Sequence, residues 1–127
     1  MKMNKIVIDL DLTLTLPGPE PYAEKRPNLA VIEVLRRYKQ AGFEIAIYTA
    51  RNMRTHNGNI GKISALTIPS AIDWLRKHDI PFDEFWPAKP WCGPDGFYVD
   101  DRAIRPSEFV ALSHDQIKSL IFAENSK

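Results

Sequence analysis

Four short apolar runs set the frame of this chain, and polar or helix-patterned stretches separate them. Lys5 to Leu10 is rich in isoleucine and valine without alternation, the pattern of a strand buried on both faces. Phe43 to Tyr48 repeats it, Ile80 to Trp86 holds a third short strand, and Phe97-Tyr98-Val99 a fourth. Leu29, Ile32, Leu35 and Tyr38 recur at near-helical spacing, with Asn28 placed to cap the start and Gly42 to end the run. Ile72, Trp74 and Leu75 predict another helix from about Pro69 to His78. Ser113 with Gln116 three places on forms a capping box for a last helix carrying Ile117, Leu120 and Ile121. Pro17-Gly18-Pro19-Glu20-Pro21 and Pro27 forbid a regular element and predict a stiff loop after the first strand. Arg51 to Lys62, with Asn57-Gly58 and Gly61, reads as a polar loop.

Strands alternating with helices predict an α/β fold, a three-layer Rossmann-like arrangement with a mainly parallel sheet and helices on both faces. No repeat, low-complexity stretch or linker interrupts it, and 127 residues suit one domain spanning 1–127. Ligands of such sheets sit beyond the carboxyl ends of the strands. Asp9, Asp11, Thr49, Asp100 and Asp101 all fall there.

Composition narrows the setting. The chain is 44% apolar and 26% charged, ordinary for a soluble protein. Its 17 basic and 16 acidic residues leave a net charge of +1, which offers no bulk attraction to nucleic acid or an anionic membrane. Any anion must therefore be bound locally. The lone Cys92 cannot form an internal disulfide, which suits a reducing cytosol. Met1 to Lys5 and the following apolar run do not make a signal peptide, because Asp9 and Asp11 break the run and no small-residue cleavage site follows. A cytoplasmic protein that neither spans a membrane nor binds nucleic acid is the expectation.

Asp9 and Asp11 are two residues apart, so both carboxylates share one side if the strand runs through them. Asp100-Asp101 follows another apolar triplet and, in a parallel sheet, could sit beside the first pair. Up to four carboxylates in one volume cannot all ionise without a counter-charge. A hard divalent cation with oxygen ligands resolves the conflict, and Mg2+ suits a partly hydrated site that also holds phosphate. Thr49 ends the second strand, where a hydroxyl and backbone N–H groups could bind a phosphate oxygen, and Lys89 follows the third. Taken singly, each has an ordinary structural explanation: a strand-end turn, a β-branched strand residue, a solvated lysine.

Taken in order, they resemble the haloacid dehalogenase (HAD) superfamily. Ile6-Val7-Ile8-Asp9-Leu10-Asp11-Leu12-Thr13 is similar to its first motif, D-x-D-x-T after an apolar run. Thr49 matches the second motif, Lys89 the third and Asp100-Asp101 the fourth. Leu12 stands where the family usually has glycine. Longer stretches, Thr49 to Thr55 and Gly96 to Phe109, resemble a bacterial subgroup of HAD phosphatases linked to capsular polysaccharide biosynthesis.

The resemblance implies an Mg2+-dependent phosphatase. Asp9 would be the nucleophile that forms an aspartyl-phosphate, Asp11 the acid–base, and Thr49 and Lys89 the holders of the phosphoryl oxygens. Asp9, the main-chain carbonyl of Asp11, and Asp100 with Asp101 would hold the metal, either of the last pair touching it directly. Thr13 and Ala50 would line the substrate. Arg51, Arg54 and Lys62, in a stretch without acids, either grip a second anionic or sugar group or belong to a solvated loop. Only 17 residues separate Asp11 from Leu29, and ten separate Lys89 from Asp100, too few for the family's cap domain. An open, capless site predicts a large substrate or closure by a second copy in a dimer or tetramer. Trp86 and Trp91 suit core or interface, and Cys92 an inert thiol. The expected substrate is a phosphorylated sugar or related small metabolite. A polynucleotide-end phosphatase, a receiver-like phosphoacceptor module and a silent binding protein are the alternatives; near-neutral charge counts against the first, the second strand-end acid against the second, and the intact acid set against the third.

Overall fold

The computed structural model describes residues 4–87, 92 and 94–126. Met1 to Met3, Lys89 and Trp91 lie outside the described residues, so the third motif is not placed. Strand β1 (Lys5–Asp9) is the sheet's inner partner for β2 (Glu44–Tyr48) on one side and β4 (Phe97–Val99) on the other, and β3 (Glu84–Trp86) lies outside β2. All pairings are parallel, in the order β3-β2-β1-β4. This is a Rossmann-like α/β fold without a cap among the described residues.

Helix α1 (Leu29–Gln40) begins where the Asn28 side chain accepts from the Val31 N–H at 3.4 Å, and it turns off at Gly42, whose φ of 100° a side chain would resist. Ile32 and Leu35 of α1 and Ala71, Trp74 and Leu75 of a second helical run share one apolar cluster with Ile6, Ile8, Ile45 and Ile47. Ile6 opposes Ile45 and Ile8 opposes Ile47 in the sheet, so both helical segments cover the same face. The other face holds a smaller cluster of Val7, Ala46 and Cys92, with Tyr48 against it.

That second run starts earlier than the apolar spacing predicts. Residues 60–62 belong to helix rather than loop: α2 (Ile60–Lys62), a π-helical stretch (Ile63–Thr67) and α3 (Ile68–Lys77) follow one another directly. Asn59 caps the start, its side chain accepting from Lys62 N–H at 3.0 Å. Pro69 has no N–H to return to the preceding turn, and the wider π stretch lies just before it. Burial of Ile63, Thr67 and Ala71 keeps the face continuous.

The proline-rich segment also departs from expectation. Tyr22–Glu24 forms one 3-10 turn, and Leu16 N–H donates to the Arg26 carbonyl at 2.8 Å, closing the segment into a loop with paired ends. After β4 a short helix α4 (Pro106–Ala111) precedes α5 (His114–Asn125). The Ser113–Gln116 capping box is present, with Ser113 N–H donating to Gln116 at 2.8 Å and Gln116 N–H to the Ser113 hydroxyl at 3.2 Å. Among the described residues no helix is long and apolar enough to cross a membrane.

Candidate active site at the strand ends

Asp9 is the last residue of β1, and Ile8 pairs with Val99, the last residue of β4. The next residues along the two strands, Asp9 and Asp100, therefore leave the sheet side by side. Asp101 follows into the same space. One carboxylate oxygen from each of Asp9, Asp100 and Asp101 lies within 4.8 Å of the others, so these three could hold a metal ion. Asp101 is buried, and its Oδ2 has no hydrogen-bond partner among the described residues. Among the described residues no cationic side chain pairs with any of the three. One buried and two half-buried acids, with an unmatched oxygen and no counter-charge among the described residues, suit a cation.

The turn after β1 arranges the rest of the first motif. The Leu10 carbonyl accepts from the N–H groups of Thr13, Leu14 and Thr15 at 3.4, 2.9 and 3.2 Å, and Leu12 N–H donates to the Thr15 hydroxyl at 2.9 Å. This tight turn forces Leu12 to a φ of 63°, the left-handed region that glycine would occupy without strain. It also carries the buried Thr13 hydroxyl back to 3.1 Å from Asp9 Oδ2 and 3.4 Å from Asp101 Oδ1.

Because β1 stops at Asp9, Asp11 does not continue the strand's alternation, and its carboxylate does not join the three. It faces Arg51 instead, with Nη2 donating to Oδ1 at 2.7 Å and Nε to Oδ2 at 3.3 Å. Arg51 Cζ sits 4.0 Å from the centre of the Tyr22 ring. Arg51 is therefore a buried residue of the site, whereas Arg54 and Ala50 are exposed. Thr49 is buried at the end of β2, with its N–H on the Trp86 carbonyl at 3.1 Å and its hydroxyl accepting from Arg51 N–H at 2.9 Å. An accepting hydroxyl keeps its own hydrogen to give to a ligand.

The motif pattern does not single out Tyr48. It ends β2 directly opposite Asp9, and its phenol donates to Asp100 Oδ2, while Arg102 N–H donates to Asp100 Oδ1 at 2.8 Å. Burial, then the Asp100 carboxylate, raise the Tyr48 pKa and keep the phenol protonated as a donor. Asp9 is pushed up to about 8, first by burial, then by the facing Asp101 carboxyl and the charge of Asp100, against a smaller opposing pull from Thr13. Three acids left to themselves thus keep a proton that a cation would displace.

Comparison with known proteins supplies a relative. The chain is 53% identical to a Vibrio cholerae target protein of known crystal structure, over 96% of this chain and 99% of that one, with a TM-score of 0.67. It also aligns with a chain of the Pnkp1/Rnl/Hen1 complex at 20% identity and a TM-score of 0.50, over 94% of its own length but 34% of that chain, a likeness of fold. No family model and no curated protein matches.

Proposed function

We propose, from the geometry of its acids and the resemblance of its motifs, that this chain, which belongs to one family with the Vibrio cholerae protein, is a metal-dependent phosphatase of the HAD type, residues 1–127 acting as one catalytic domain. The observation that carries this reading is the convergence of Asp9, Asp100 and Asp101 at the ends of adjacent parallel strands, with Thr13 bridging them. Asp9 attacks phosphorus and the bond to the ester oxygen breaks, its electron pair leaving with that oxygen. Asp11 protonates the leaving oxygen, then takes a proton from the water that attacks the aspartyl-phosphate and releases inorganic phosphate. Thr49 and Lys89 hold the phosphoryl oxygens, while Tyr48 fixes the Asp100 carboxylate. Bound by Asp9, Asp100 and Asp101, with the Asp11 main-chain carbonyl, a hard divalent cation such as Mg2+ would supply positive charge opposite a phosphate dianion.

A phosphorylated sugar or related intermediate of polysaccharide biosynthesis is the proposed substrate, on the resemblance of Thr49 to Thr55 and Gly96 to Phe109. A homo-oligomer that closes the open site is part of the same proposal. Release of phosphate from p-nitrophenyl phosphate with Mg2+, and its loss with EDTA, tests the reaction. A panel of sugar phosphates beside 3′- and 5′-phosphorylated oligonucleotides tests the substrate class, and turnover confined to the oligonucleotides would overturn the sugar assignment.

A further inference from the structure

We infer that Arg51 is a positioning residue for Asp11, and that Tyr22 of the proline-rich segment holds Arg51 in that role. The inference rests on the phosphatase reading above, because it assigns Asp11 the acid–base step.

Asp11 lies past the end of β1, on a turn with no ladder to fix it, and its side chain is 32% exposed. A carboxylate so placed has several accessible rotamers, yet proton transfer needs one direction. The Arg51 fork reaches both oxygens of Asp11: the short bond from Nη2 at 2.7 Å holds Oδ1, while the longer one from Nε at 3.3 Å leaves Oδ2 able to carry the proton that the leaving oxygen takes. Arg51 is itself fixed from three sides. Its backbone N–H is tied to Thr49, its side chain is 3% exposed, and the Tyr22 ring stacks over the guanidinium.

Tyr22, in turn, is not a loose surface residue. Its segment is anchored to the core by Trp74, whose indole N–H donates to the Lys25 carbonyl at 2.8 Å, and by Asn28 N–H on the Leu14 carbonyl at 2.8 Å. Arg26 reaches back to the Pro17 carbonyl at 3.0 Å and lies 3.5 Å from Glu20. Proline stiffness and these bonds carry rigidity from α3 through Tyr22 to Arg51 and so to Asp11. Direct capture of a second substrate anion is the competing role for Arg51. It is disfavoured because Nε and Nη2 are already engaged and one face of the guanidinium is covered.

The test compares kcat/KM for an aryl phosphate, whose phenolate leaves without a proton, with that for an alkyl phosphate, whose alkoxide needs one. Arg51→Met should lower the alkyl value roughly 10- to 100-fold more than the aryl value, part of the roughly 10²- to 10⁴-fold that a general acid contributes. Arg51→Lys, which keeps charge without the fork, and Tyr22→Leu, at an exposed position, should shift the ratio in the same direction by less. Asp11→Asn should shift it at least as far as Arg51→Met. Equal loss for both esters in the Arg51 variants would make Arg51 a structural or substrate-anion residue and overturn the inference. So would an unchanged ratio in both Arg51→Lys and Tyr22→Leu, should Arg51→Met fail to fold. A wild-type protein that turns over neither ester with Mg2+ overturns the phosphatase reading itself. A shifted ratio in Asp11→Asn alone leaves that reading standing and removes only the part given to Arg51.

Discussion

Loading the site with Mg2+ should release a proton, and the amount follows from the acids that hold it. Burial and two neighbouring carboxyls push Asp9 up to about 8, so at pH 7 the protonated form outnumbers the charged form about tenfold and roughly 0.9 proton is bound. A cation needs the carboxylate, so binding at pH 7 should displace close to one proton, roughly a half at pH 8 and about 0.1 at pH 9. The same competition weakens apparent affinity about tenfold for each unit of pH below 8, and the dependence flattens above. Isothermal titration of Mg2+ in buffers of different ionisation enthalpy reads the proton count from the slope of heat against buffer enthalpy. Because the folded pKa lies above the unfolded value near 3.8, the metal-free protein is most stable, as far as Asp9 is concerned, below about pH 4, and it loses stability as pH rises from there to about 8. Mg2+ should therefore raise the thermal midpoint more at pH 8 than at pH 6. Zero proton release at pH 7, with binding intact, would refute the view that Asp9 keeps its proton in the metal-free cluster.

Other expectations follow from single positions. Asp9→Asn should abolish metal-dependent turnover while improving metal-free thermal stability at pH 8, since one member of the crowded acid set becomes neutral. Leu12 carries a left-handed backbone at φ 63°, so Leu12→Val should destabilise by about 1–2 kcal/mol in urea unfolding. Leu12→Gly should fall near neutral there, relief of strain being offset by a more flexible unfolded chain. A Cβ at Gly96 would stand 2.1 Å from the main-chain oxygens of Lys5 and Cys92, neither the end of a flexible side chain, so Gly96→Ala should cost roughly 1–3 kcal/mol or more and loosen β4 with its two acids.

The strands were readable because β1 and β2 are apolar runs of isoleucine, valine and alanine, and burial on both faces needs little else. Asp9 beside Asp100 was readable for the same reason: two acids that each end such a run must meet if the strands pair in parallel. The helical start at Ile60 was not, since Asn57-Gly58 and Gly61 resemble loop punctuation and the π stretch displaces the usual helical spacing. The pairing of Asp11 with Arg51 could not be read from a two-residue spacing. That spacing presumes a strand, whereas the turn through Leu12 sends Asp11 elsewhere. Tyr48 was hidden in plain view as the last residue of an apolar run, its role set by the cross-strand register opposite Asp9.

The nucleophile is the centre of the account, and trapping it is the direct test. Protein mixed with a phosphate ester and Mg2+, quenched in acid and reduced with borohydride, should carry its modification on the peptide containing Asp9, with none in Asp9→Asn. Turnover that leaves Asp9 unmodified and survives Asp9→Asn would contradict it.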